Sequence, residues 1–136
     1  MSNHLQFNFS VSIPASFDFD MTVHQILSLK NIDHSHFEFT FIDDEKMIQL
    51  HKTYLQLDHT TDILTFNLGS TQQPDADIYI CVDQANRQAQ EYGQSIDNEL
   101  KLLIIHGILH CIGYDDTMVQ KKLIMDQEQT RILRLL

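Results

Sequence analysis

The chain has 136 residues, 43% hydrophobic and 21% charged, which suits one soluble globular domain able to bury a single core. Nine Lys and Arg against 19 Asp and Glu leave a net charge of −10, which argues against a general nucleic-acid-binding surface, because affinity for a phosphate backbone comes largely from cations displacing counterions. No apolar stretch reaches 18 residues and MSNHLQFNFS lacks the basic and apolar regions of a secretory leader, so the expected location is the cytoplasm, with no membrane contact.

Leu5, Phe7, Phe9, Val11 and Ile13 alternate with polar residues, the period-two pattern of a half-buried strand. Pro14, Ser16 and Asp18 interrupt it, and Val23, Ile26, Leu27 and Leu29 mark a helix from about Thr22 to Leu29. His36 to Ile42 reads as a second strand with Phe37, Phe39 and Phe41 on one face, while His34 and His36 read as surface residues. Asp43 or Asp44 is the expected N-cap of the next helix, whose inner side carries Met47, Leu50, Tyr54 and Leu57 and leaves His51 facing solvent. A polar turn from Asp58 leads into a short strand ending near Phe66; Thr61 and Asp62 suit the start of that strand. Gly69 to Pro74 is a loop, and Asp77 to Val82 is apolar enough for the middle of a sheet. Asp83 to Tyr92 forms a polar helix closed by Gly93, after which Ser95 can cap an apolar helix through Leu100 and Ile105. The last helix runs from about Val119 to Leu135, with Leu123, Ile124, Ile132, Leu133 and Leu136 inward and DQEQTR solvated. The order β-α-β-α-β-β-α-α-α indicates one α+β domain over residues 1–136, a small mixed sheet of about four strands covered by helices. Cys81 and Cys111 both lie in apolar runs and read as buried thiols of a reducing compartment.

Chemistry concentrates in HGILHCIGYDD, residues 106–116. His106 and His110 are four apart, so on a helix both imidazoles leave one face, one turn apart. A nearly all-apolar helix has little reason to carry two such groups unless something satisfies them. Gly113 supplies a stop, and the chain can fold Asp115 and Asp116 back toward the pair. Two His and one carboxylate, with a fourth position for water, is the ligand set of a catalytic zinc site, for which His106, His110 and Asp116 are the candidates. Gly107 leaves room beside His106, whereas Cys111 points about 100° away around the helix. Asp115 either orients a ligand imidazole or caps the turn, and Tyr114 either meets substrate or fills the core.

HGILHCIGYDD resembles the HGxLHLxGYDH motif of the YbeY family, bacterial endoribonucleases of ribosomal RNA maturation. His106, Gly107, Leu109, His110, Gly113, Tyr114 and Asp115 match, and Asp116 stands where the family usually has a third His. An anionic ligand there would make the bound water less acidic. The stretch from Tyr54 to Phe66 resembles a second signature, Y-R-x-K-D-x-P-T-D-V-L-S-F, through Tyr54, Asp58, Thr61, Asp62, Leu64 and Phe66. Leu55 and Leu57 replace its Arg and Lys, which removes an electrophilic group of the kind phosphoryl transfer relies on.

The resemblance, over about residues 5 to 134, implies a zincin-like metal helix and a hydrolase cutting single-stranded RNA with one Zn²⁺ and an activated water. It also implies ribosomal RNA or the small ribosomal subunit as partner, with a ribosomal protein or an assembly GTPase beside it. Asp62 and Asp115 are the candidates for proton transfer, and Asp62 is read as a structural or substrate-side residue and not as a ligand. HExxH peptidases carry a Glu base where Gly107 stands, which disfavours peptide hydrolysis. A non-catalytic assembly factor with a structural metal, and a metallohydrolase of another substrate such as an amide, are the alternatives.

Overall fold

A computed structural model describes residues 2–136. Its elements are β1 (Ser2–Phe9), α1 (Phe19–Leu29), β2 (His34–Ile42), α2 (Asp44–Leu55), β3 (Ile63–Asn67), β4 (Asp75–Cys81), α3 (Val82–Glu91), α4 (Ile96–Cys111) and α5 (Val119–Leu135). The sheet order is β1-β2-β4-β3; the first three strands run parallel and β3 pairs antiparallel with β4. This is the α+β architecture and element order expected from the sequence.

The alternation in β2 decides the packing. Phe37, Phe39 and Phe41 align with Ala76, Ile78 and Ile80 of β4 and are fully buried under the helices. Ile42, Leu64 and Cys81 point to the opposite face, where Met47 of α2 covers them. Through the core runs α4, apolar around nearly its whole circumference as a helix enclosed on all sides must be. It touches α1, α3, α5, β3 and β4. Caps act where short polar side chains precede helices: Asp18, Asp43 and Ser95 accept from the amides of Met21, Lys46 and Asn98.

Several details depart from the periodicity. β1 stops at Phe9; Val11 and Ile13 pack on the core from irregular chain. In α2, His51 is buried and its Nδ1–H donates to the His59 carbonyl at 2.7 Å, while Tyr54 and Leu57 face outward. A single partner across the following loop outweighed the apolar stripe. In α5, Leu123 and Ile124 are exposed and Met125 and Ile132 are buried, which turns the inward face away from the apolar pair at its start.

Candidate metal centre

The site is built where α4 ends. His106 and His110 are stacked one turn apart, rings edge to face at 4.5 Å between centroids. Cys111 is the last helical residue, and Gly113 takes φ +107, a region that a side chain disfavours. The Tyr114 amide then closes back on the Leu109 carbonyl at 3.0 Å. The next two residues are acids with different tasks. Asp115 accepts from the Thr117 amide at 2.8 Å and faces Lys121 Nζ at 3.9 Å, so of its two open roles it takes the cap of the turn. Those hydrogen bonds lower its pKa, the Thr117 amide contributing most.

Asp116 swings under the imidazoles. Its Oδ2 lies 3.4 Å from His110 Nε2 and 3.7 Å from His106 Nε2. Donor atoms of all three residues fall within 4.8 Å of one another. Four ligands at about 2.0–2.2 Å around Zn²⁺ have tetrahedral edges of about 3.3–3.6 Å. The Asp–His separations are of that size, and two imidazole nitrogens with one carboxylate oxygen are donors zinc accepts. The residues present fit a metal ion.

A cleft of about 450 Å³ opens beside them, walled opposite by Asp62, Ile63, Leu64, Thr65 and Asn67. Among the described residues that line it there is no Lys or Arg. Asp62 lines the cleft, its carbonyl accepting from the Cys81 amide at 2.9 Å and its carboxylate from the Thr61 hydroxyl at 3.5 Å. Behind it Glu99, almost fully buried, has its pKa raised, mainly by burial; the Gln88 amide at 2.8 Å opposes the rise and the Asp62 charge adds to it. Leu55 and Leu57, at the family signature's Arg and Lys positions, are exposed and add no cation.

Gly107 has a different reason from the one its neighbour suggested. An added Cβ would stand 3.1 Å from both Ile63 Cδ1 and Ile78 Cδ1, so the glycine lets α4 approach the sheet, not a ligand. Tyr114 is a core residue too: its hydroxyl accepts from Lys30 Nζ at 2.8 Å and donates to Glu128 at 3.3 Å. Lys30 also pairs with Glu128, whose carboxyl Arg131 foremost, then Lys30, hold down to about 2 against its burial.

Two contributors escaped the sequence reading. The Asn67 amide donates to the Cys111 carbonyl at 3.1 Å, while its Oδ1 accepts from Gly69 and Asp75 amides, tying the end of α4 to the β3–β4 hairpin. Gln129 of α5, within the segment read as solvated, sits with Oε1 2.6 Å from His106 Nδ1. Both contacts join residues far apart in sequence, and no local pattern marks either. A second group of donors, Asp44, Cys81 and Asp83, is already matched: Arg87 grips Asp44 at 2.8 and 2.9 Å and holds its carboxyl at about 2. Burial meanwhile raises the Cys81 thiol. Cys111 is also free and buried, its thiol pushed up to about 12.

Comparison with known proteins decides the lineage. The family model described as Endoribonuclease YbeY matches residues 8–136. The chain belongs to the YbeY family. Endoribonuclease YbeY of Bacteroides thetaiotaomicron is 34% identical over 97 residues, 71% of either chain. Its counterpart from Aquifex aeolicus is 40% identical over 92 residues, 65% of this chain and 59% of its own. The solution structure of TM1509 from Thermotoga maritima shares the fold at TM-score 0.64 and 21% identity, covering 95% of this chain and 86% of its own. Asp116, at the position where the YbeY signature usually carries a third His, lies against both imidazoles.

Proposed function

We propose that this protein is a metal-dependent endoribonuclease that cuts single-stranded RNA in the maturation and quality control of ribosomal RNA, with one Zn²⁺ held by His106, His110 and Asp116. The observation that carries the reading is the convergence of three donors, all within 4.8 Å of one another, on the wall of a cleft. Membership of a family whose matched relatives are named endoribonucleases supports the substrate class. Zinc bound there supplies Lewis acidity, lowering the pKa of a water toward about 7 and polarising a phosphoryl oxygen. The chain's own residues supply position. His106 and His110 present Nε2 to the cleft, and Asp116 brings an anion that partly neutralises a cation. Asp62, across the cleft, is the carboxylate we assign to accept a proton.

The acidic, cation-free cleft bears on substrate form. A duplex is gripped through many phosphates, whereas an unstacked strand offers base edges and faces to neutral groups such as Thr65. Affinity for ribosomal RNA then depends on the small subunit, through a ribosomal protein or an assembly GTPase, in the cytoplasm. Residues 1–136 act as one hydrolase domain.

The same lack of cations favours one second reading, an assembly factor in which the metal only holds the fold. A panel separates the cases: one RNA sequence as single strand and as duplex, beside simple ester and amide substrates. Cleavage of the single strand alone is expected. Amide or ester turnover without RNA cleavage would assign another substrate class, and an inert protein would favour the assembly factor.

A further inference from the structure

Gln129 touches the site from an element with no ligand of its own. Its Oε1 is 2.6 Å from His106 Nδ1. A carbonyl oxygen can only accept, so the ring nitrogen donates. His106 is thereby held as the Nδ1–H tautomer, with the lone pair on Nε2, the atom that faces Asp116 Oδ2 at 3.7 Å. The other tautomer would place a hydrogen where a metal must bind.

We propose that Gln129 is a positioning residue of the metal centre, selecting the tautomer and ring orientation of His106 through Nδ1; this rests on the reading of His106 as a ligand. The placement of Gln129 is overdetermined. Met125 and Ile132, four residues before it and three after, share its face of α5 and are fully buried, which seats the helix against the core. Its neighbour Glu128 is pinned by Lys30 from the end of α1 and by Tyr114 from the turn after α4. Those contacts fix the rotation and height of α5, so the amide reaches the imidazole from one direction. Because the clamp includes Tyr114, the turn that delivers Asp116 and the helix that delivers Gln129 are held together.

The test uses the full chain, labelled with ¹⁵N-histidine and free of metal, at about pH 8.5 where imidazoles are neutral. His106 signals are identified by their loss in His106→Ala. Wild type shows the Nδ1–H tautomer. Gln129→Met, unbranched and of similar length, shifts His106 toward Nε2–H and weakens Zn²⁺ in chelator competition by about 10–100-fold. Gln129→Ala does the same without a side chain to repack. Gln129→Glu, which keeps an acceptor oxygen, retains the tautomer and the affinity. A merely structural role would lower the melting temperature of the Met and Ala variants and leave the tautomer alone. Unchanged tautomer and affinity in both, in a wild type that binds Zn²⁺, overturns the proposal alone. A wild type with the Nδ1–H tautomer that binds no Zn²⁺ overturns the ligand assignment, and the proposal falls with it.

Discussion

Adding one methyl group at Gly107 sets two measurable effects against each other. Alanine is favoured over glycine inside a helix by about 0.8–1.0 kcal/mol. The new Cβ, however, would stand 3.1 Å from Ile63 Cδ1, 3.1 Å from Ile78 Cδ1 and 3.4 Å from Ile78 Cγ2. Ile78 is fully buried in β4, flanked by β2 and β3, so it has little room to retreat. Overpacking of this kind costs about 1–3 kcal/mol. The strain wins, and Gly107→Ala is expected to lose about 1 kcal/mol, roughly 4 °C in Tm for a chain of this size. The sharper assay is a double-mutant cycle in urea with Ile78→Val, which removes one of the two close methyls. Alone that change costs about 0.5–1.5 kcal/mol. Combined with Gly107→Ala it relieves the clash, so the double variant is more stable than the sum by about 0.5–1 kcal/mol. A Gly107→Ala protein at least as stable as wild type, or strict additivity in the cycle, would refute the close-approach account.

Two other expectations concern titration and reactivity. Glu128 takes up its proton at about 2 in the folded chain against 4.5 for an ordinary glutamate, so the unfolded state is protonated first as pH falls. The stability this carboxylate contributes is whole above about pH 4.5 and drains away down to about pH 2. Glu128→Gln therefore flattens that limb of the stability curve, and an unchanged acid limb would contradict the clamp. Cys81 and Cys111, both buried with raised pKa, resist alkylation by iodoacetamide at pH 8 and react once unfolded in guanidinium; rapid labelling of folded protein would show that α4 or β4 opens.

What could be read from the sequence was what is written locally. Period-two phenylalanines marked β2, short polar caps marked helix starts, and the four-residue His spacing put both imidazoles on one face of α4 ahead of the Gly113 turn. His51, Asn67 and Gln129 were opaque for a shared physical reason. Each hydrogen-bonds to a residue between eight and 44 positions away, and hydrophobic periodicity carries no information about such a partner. On α5, Ile132, Leu133 and Leu136 do pack on the core, but exposed Leu123 and Ile124 were misread because they have the same composition as a buried stripe. Lys30, Tyr114 and Glu128 fixed that helix's rotation instead.

Whether the metal site cuts RNA is decided by one paired measurement. Wild type and His106→Ala are purified identically, their bound metal is quantified, and both are given the same single-stranded RNA. About one Zn²⁺ and endonucleolytic products are expected for the wild type, and neither for the variant. Equal cleavage by both proteins, or a wild type that holds its metal and leaves the RNA intact, would contradict it.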